Sequence, residues 1–131
     1  MAIERFEDIE AWKAARDLAS RIYEATRKEP FKRDFGLRDQ IQRAAVSVMA
    51  NISEGFDSQS NKTFIQFLGY ALRSATEVQS HLYVALDQRY VNQDAFEDLY
   101  TKAVAAKSLI YGFMRYLRSA KDRESGGEHG T

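Results

Sequence analysis

Residues 64–85 carry the clearest structural signal in the chain, and they read FIQFLGYALRSATEVQSHLYVA. Apolar residues recur there at alternating steps of four and three: Phe64, Leu68, Ala71, Ala75, Val78, Leu82 and Ala85. This spacing places one apolar stripe along a helix and is typical of near-parallel helices that pack side by side. The stretch therefore predicts a long helix with at least one helical neighbour.

Two helices are predicted before this stretch from apolar periodicity and from residues that favour helix ends. The first spans about residues 7–28 and must stop before Pro30, because the residue preceding a proline disfavours helical backbone. The second begins near Asp34, whose short carboxylate suits an N-cap, and ends at Gly55.

The connections around the heptad stretch are predicted from polar residues. A loop is expected over residues 56–61, with Ser58 or Ser60 capping the helix that follows. Asn92 then caps a fourth helix, which keeps its apolar stripe as far as Leu117. The chain thus contains four predicted helices and no stretch with the alternation of a strand.

Four amphipathic helices with short connections predict an all-α domain, an antiparallel up-down four-helix bundle over residues 1–118. Residues 119–131 are polar and glycine-rich, so we expect a flexible tail there. Several bulky side chains lie off the apolar stripes: Phe67, Leu72, Tyr83, Leu86, Tyr100 and Tyr111. They either widen the core of a monomer or are covered by another subunit, and we favour self-association.

The composition excludes several kinds of site. The 131 residues include no cysteine and two histidines, which excludes disulfides, thiolate catalysis and a histidine-rich metal site. With 19 basic and 19 acidic residues the formal net charge is zero, so any nucleic-acid site must be a local patch. The acidic N-terminus and the lack of a long apolar run predict a cytoplasmic protein without a membrane segment. We expect no catalytic centre, metal, cofactor or small-molecule substrate.

Polar side chains form two ladders on the second and third helices. Steps of three and four residues align Ser47, Asn51 and Glu54 on the second helix and Tyr70, Ser74, Glu77 and His81 on the third. We interpret them as a structural hydrogen-bonded network that fixes helix register, because no nucleophile or phosphate-binding loop accompanies them. The alternative is an active site with Glu54 or Glu77 as general base and His81 as its partner.

The fourth helix carries a basic face. Between Leu99 and Lys121 there is no acidic residue, and the cations are Lys102, Lys107, Arg115, Arg118 and Lys121. Tyr100, Lys107, Tyr111 and Arg118 share one side of the helix, about 100° from its apolar stripe. Cations interleaved with tyrosines can hold phosphates and stack on bases, so Lys102, Lys107, Tyr111, Arg115 and Arg118 are candidate nucleic-acid-binding residues. Alternatively, the cations complement the helix dipole and the tyrosines pack against a subunit.

Residues 36–55, GLRDQIQRAAVSVMANISEG, resemble the hallmark of the four-helix-bundle proteins encoded in 23S rRNA intervening sequences. Residues 6–12, FEDIEAW, are similar to the opening of that family, and the resemblance extends over nearly all of residues 6–118. It implies a homopentamer arranged as a ring or tapered barrel, without enzymatic activity. The related accessory proteins of diversity-generating retroelements bind a reverse transcriptase and nucleic acid through a basic surface, and they are more basic than this chain.

Together, the residues and the resemblance predict a non-enzymatic, homo-oligomeric scaffold whose basic face binds RNA, DNA or a ribonucleoprotein. One alternative is a protein–protein interaction module without affinity for nucleic acid. Another is a ribonuclease, because Arg73 and His81 resemble the arginine–histidine signature of the helical HEPN class, although the gap between these residues is usually shorter there.

Overall fold

The computed structural model describes residues 3–120, which form four α-helices and no strand. The helices are α1 (Glu10–Thr26), α2 (Phe35–Asp57), α3 (Asn61–Asp87) and α4 (Gln93–Ser119). Two short 3-10 helices, Phe6–Asp8 and Phe31–Arg33, precede α1 and α2. The predicted all-α class with four helices is confirmed. None of the helices in this part of the chain is long and apolar enough to cross a membrane.

Side-chain caps fix the start of three helices. Asp34, Ser60 and Asn92 each accept a hydrogen bond from the backbone N–H three residues further on, at 3.1, 3.3 and 2.8 Å respectively. Each cap satisfies a donor that the first turn of a helix leaves without an intrahelical partner. The predicted starts of α2 and α4 are therefore confirmed, and Ser60 rather than Ser58 caps α3.

The first helix is shorter at both ends than predicted. Glu7 and Asp8, at the predicted start of the helix, lie instead in the 3-10 helix Phe6–Asp8, and the backbone then becomes extended at Ile9 (ψ 122°). This turn brings the ring of Phe6 edge-on to that of Trp12, with centroids 5.1 Å apart. At the other end, α1 stops at Thr26, whose hydroxyl donates to the carbonyl of Ile22 at 2.9 Å.

The predicted end of α2 at Gly55 was wrong, because this glycine lies inside the helix. A Cβ atom at Gly55 would lie 2.6 Å from Cδ1 of Phe64 and 2.9 Å from Cβ of Phe67. The missing side chain therefore lets α3 pack tightly on α2, rather than allowing a left-handed helix end. The predicted loop over 56–61 shrinks to residues 58–60, where Gln59 adopts a positive φ of 64°.

The core follows the predicted stripes. Each residue of the α3 stripe (Phe64, Leu68, Ala71, Ala75, Val78, Leu82 and Ala85) is at most 1% exposed. α1 packs against α2 and α4, and α3 packs against the same two helices. Most of the expected flexible tail, residues 121–131, lies outside the described part of the chain. The antiparallel order of the helices and the ring-like oligomer remain predictions.

The side chains that lie off the stripes divide into two groups. Three half-buried residues, Leu72, Leu86 and Tyr100, pack against the buried core and widen it, and Phe67 is half-buried with its ring against that of Tyr70. In contrast, Tyr83 is 51% exposed and Tyr111 is 50% exposed. Tyr23, which the periodicity of the first helix assigned to its apolar face, is 40% exposed. Further large apolar side chains are exposed at positions that the stripes did not single out: Phe35, Val46, Val84, Val104, Leu109 and Tyr116.

Candidate nucleic-acid interface

Lys107 lies against α3 rather than in solvent. Its ammonium Nζ donates to Oγ1 of Thr76 at 2.9 Å and to Oε1 of Gln79 at 3.1 Å. Gln79 is buried and Lys107 is half-buried, so these bonds join α3 to α4 at mid-length. Lys107 therefore contributes positive charge to the surface, but N–H groups of its ammonium already donate to acceptors within the protein.

Lys102 is separated from the other cations. It lies five residues before Lys107, and because each residue of a helix turns by about 100°, its side chain points towards the opposite flank of α4. Its Nζ is 3.9 Å from a carboxylate oxygen of Asp17 on α1. Asp17 also accepts from Arg21, whose guanidinium reaches Asp98 of α4 at 3.4 Å. Lys102 therefore belongs to an exposed ion network between α1 and α4.

Helical spacing places three of the predicted residues on the flank of α4 from which Lys107 reaches α3. Tyr111, Arg115 and Arg118 are exposed, and each lies within two turns of the next. Neither arginine has an ion pair among the described residues. The guanidinium of Arg115 bends back along the helix, with Nη2 3.8 Å from where a Cβ of Gly112 would be.

The fold adds Lys62 to this set. The amide of the buried Asn61 donates to the carbonyl of Leu117 at 3.4 Å, which joins the first turn of α3 to the last turns of α4. Lys62 is the next residue and is exposed, so it belongs to the same first turn of α3 that this bond joins to α4. We call Lys62, Tyr111, Arg115 and Arg118 the basic end. The sequence alone did not predict Lys62, because it lies about fifty residues before the arginines and only the packing of α3 on α4 relates the two regions.

No carboxylate of these two helices faces the basic end. α4 has no acidic residue after Asp98. The α3 residues that share the flank of Thr76, at steps of three and four, are Ile65, Gly69, Leu72 and Thr76, and all are neutral. A phosphate could therefore approach the three cations without repulsion from a neighbouring acid on α3 or α4.

The two polar ladders meet only in part. Oγ of Ser74 on α3 donates to Oγ of Ser47 on α2 at 2.9 Å, and this hydrogen bond joins one ladder to the other. The amide of Asn51 donates to the carbonyl and to Oγ of Ser47, at 2.9 and 3.0 Å. All three side chains are half-buried. They form a small polar cluster that links α2 to α3.

The remaining ladder residues lie apart from this cluster. His81 Nε2 is 3.3 Å from a carboxylate oxygen of Glu77, one turn away on the same helix, and Glu77 is exposed. Glu54 is exposed and lines an open hollow of about 490 Å³ together with Phe6 and Asp57. The arrangement does not place Glu54 beside His81.

Arg73 and His81 are likewise not paired with each other. The guanidinium of Arg73 lies over the ring of Tyr70, 5.5 Å from its centroid, whereas His81 contacts Glu77. Within residues 3–120, no group of three or more histidine, aspartate or glutamate side chains is arranged to hold a metal ion.

An apolar groove of about 520 Å³ runs between the start of α1 and the C-terminal half of α4. Its apolar lining includes Ile3, Ile9, Leu109, Phe113 and Tyr116. Leu109 and Tyr116 are each 42% exposed, so the groove leaves substantial apolar surface uncovered in the single chain. We call it the α1–α4 groove. Neither composition nor periodicity predicted it, because it depends on how the N-terminal turn lies against α4.

Comparison with known proteins agrees with this fold. A solved structure from Bacteroides thetaiotaomicron VPI-5482, described as a protein of unknown function from the S23 ribosomal protein family, is similar with a TM-score of 0.73 and 25% sequence identity. The match covers 80% of this chain and 98% of that one. No curated protein matches the chain. Residues 7–112 match the model of the family described as 23S rRNA-intervening sequence protein. The chain therefore belongs to the 23S rRNA-intervening sequence protein family.

Proposed function

We propose that this protein is a non-enzymatic, homo-oligomeric helical-bundle scaffold of the cytoplasm that binds nucleic acid through the basic end. The observation that carries the proposal is a pair of exposed arginines, Arg115 and Arg118, which follow an exposed tyrosine on α4 and have no ion pair among the described residues. Lys62 adds a cation in the first turn of α3, which the bond from Asn61 to Leu117 joins to the last turns of α4. Arginine and lysine neutralise phosphates and release bound counterions, so a small cluster of this kind can give salt-dependent binding on a neutral protein.

The structure revises which cations the proposal relies on. Lys107 donates hydrogen bonds to Thr76 and Gln79, and Lys102 lies beside Asp17, so we do not assign a phosphate contact to either of them. Arg115 and Arg118 keep their donors available and can hold a phosphate in a bidentate manner.

Charge reversal at the two arginines tests this proposal. The variant Arg115→Glu/Arg118→Glu should bind a fluorescent RNA about tenfold or more weakly than the unmodified protein in an anisotropy titration at low salt. The matched control is Lys13→Glu/Arg43→Glu, which changes the net charge equally at exposed positions on α1 and α2. Equal weakening by both variants would attribute the effect to net charge, and no weakening by the arginine variant would contradict the proposal.

We also propose that the helices run up and down in antiparallel order and that the bundles assemble into a ring, with five subunits as the resemblance implies. Two contacts support the antiparallel order. The first residue of α3, Asn61, bonds to Leu117 near the end of α4, and the start of α1 lines one groove with the C-terminal half of α4. Short connections between consecutive helices are typical of this topology.

The α1–α4 groove is the surface that we assign to self-association, with a second copy of the chain as its occupant. Its partly exposed Leu109 and Tyr116 would lose water on contact with that copy, which is the main source of association free energy. The variant Leu109→Glu should reduce the mass of the assembly that is measured by sedimentation. The control Val46→Glu alters a side chain of similar exposure, 40% against 42%, on a different helix and should leave the mass unchanged.

The alternative function is a protein–protein interaction module without affinity for nucleic acid. The same groove favours it, because an apolar groove can accept a helix of another protein as readily as one of a second copy. The two functions differ in one measurement: the alternative predicts no RNA binding even at low salt, together with an oligomer or complex that Leu109→Glu disrupts.

A further inference from the structure

Tyr111 differs from most tyrosines of this chain in the contacts of its ring. Five tyrosines each lie against another aromatic ring, with centroids 5.0 to 5.8 Å apart: Tyr70, Tyr83, Tyr90, Tyr100 and Tyr116. Within residues 3–120, Tyr111 has no such ring contact and no side-chain hydrogen bond, although half of its surface is exposed. Its ring is therefore open to a partner.

The position of this ring relates it to the cations of the basic end. Arg115 follows Tyr111 by one turn and Arg118 by two, which corresponds to about 6 Å and about 10 Å along the axis. The guanidinium of Arg115 bends back towards Gly112, the residue next to Tyr111. An open aromatic ring thus lies within reach of the groups that would hold phosphates.

A ring and cations in this arrangement suit a strand whose bases are unpaired. Stacking of a base on a tyrosine requires a free face of the base, and in a duplex both faces are covered by neighbouring base pairs. Phosphate contacts alone would not distinguish a single strand from a duplex in this way.

We propose that Tyr111 stacks on an unpaired base and that the basic end therefore prefers single-stranded nucleic acid to duplex. This inference rests on the proposed binding of nucleic acid by the same residues. It adds a ligand class and a role for Tyr111, which acts as the stacking platform one turn before the phosphate contact of Arg115 and two turns before that of Arg118.

The test compares three RNA probes of the same length, about ten nucleotides, in anisotropy titrations at low salt. One is single-stranded, one is annealed to its complement, and one is a single strand with abasic positions. Tyr111→Ala should weaken binding of the single strand by about fivefold to about 100-fold, because each base stacked on an aromatic ring contributes that much. Binding of the duplex and of the abasic strand should be unchanged. Tyr111→Phe keeps the ring and should bind as the unmodified protein does.

Tyr23 provides a matched control. It is 40% exposed, has no ring contact among the described residues and lies on α1, so Tyr23→Ala should leave all three affinities unchanged. If Tyr111→Ala binds the single strand normally while the arginine variant does not, the stacking inference is wrong and the proposed function stands. If the unmodified protein binds none of the probes, both are wrong.

Discussion

Replacing Gly55 with alanine adds a methyl group where α2 and α3 pack against each other. The new Cβ would lie 2.6 Å from Cδ1 and 3.1 Å from Cε1 of Phe64, and 2.9 Å from Cβ of Phe67. Carbon atoms in contact normally lie about 3.5–4.0 Å apart. Phe64 is 1% exposed and cannot swing into solvent, and the Cβ of Phe67 is fixed to its backbone, so the helices themselves must move apart.

Opposing effects determine the size of the change in the free energy of unfolding. Alanine favours a helix over glycine by about 1 kcal/mol. Overpacking a core costs about 1–3 kcal/mol, and two contacts below 3.0 Å on atoms that cannot yield place this case at the upper end. The net expectation is a loss of about 1–2 kcal/mol, which lowers the melting temperature by roughly 4–8 °C for a domain of this size.

The assay is urea unfolding followed by circular dichroism at one fixed protein concentration, because association would otherwise shift the midpoint. Gly69→Ala is the control, since a Cβ at Gly69 would meet no atom within 4 Å and the residue lies within α3. That variant should be stabilised by up to about 1 kcal/mol. A Gly55→Ala protein as stable as the unmodified one would refute the tight packing of α2 on Phe64.

Further predictions concern the two hydrogen bonds that Asp34 accepts and the polar cluster of Ser47, Asn51 and Ser74. Asp34→Ala should lower the free energy of unfolding by about 1–2 kcal/mol, because it removes both the cap on Leu37 N and the bond from the Tyr90 hydroxyl at 2.9 Å. Tyr90→Phe removes only the second bond and should lower it by only about 1 kcal/mol. Equal losses in urea unfolding would show that the cap contributes nothing. The hydrogen bond to Asp34 raises the pKa of Tyr90, so the associated stability is present below the ordinary tyrosine pKa of about 10 and is lost as the pH rises through the raised value. Unfolding measured between about pH 9 and pH 11 should therefore show a shallower loss for Tyr90→Phe than for the unmodified protein, and parallel curves would exclude this linkage. Ser47→Ala removes the Oγ that accepts from Asn51 and from Ser74, while the carbonyl of residue 47 still accepts from Asn51, and it should cost about 1 kcal/mol in thermal melts; an unchanged melting temperature would count against the cluster.

Local signals in the sequence sufficed for most of the helical pattern. Asp34 and Asn92 cap helices through their own side chains and the backbone three residues on, so the interaction is encoded within one turn. The α3 stripe likewise predicted the buried face of that helix, because four-and-three spacing depends on helical geometry alone.

Gly55 shows why helix ends were less predictable. A glycine after an apolar stripe is typical of a C-terminal cap, but it also suits a close helix contact, and only the position of Phe64 distinguishes the two. The break between the N-terminal turn and α1 depends in the same way on the packing of Phe6 against Trp12.

The basic face was predictable only in part. Helical spacing places Tyr111 and Arg118 on one side of α4, and the five-residue step to Lys107 could have separated Lys102 from this group. The bonds of Lys107 to Thr76 and Gln79 depend on where α3 lies. The bond that joins the first turn of α3, which contains Lys62, to the last turns of α4 depends on the same packing. Contacts between helices therefore determine which cations remain available.

The salt dependence of RNA binding tests the central claim most directly. If Lys62, Arg115 and Arg118 each neutralise one phosphate of a single strand, the logarithm of the affinity should fall with the logarithm of salt concentration with a slope of about −2. Between about 50 mM and about 200 mM salt, this slope corresponds to a loss of affinity of about 15- to 20-fold. A slope near zero, or no binding at about 50 mM salt, would contradict a nucleic-acid interface at the basic end.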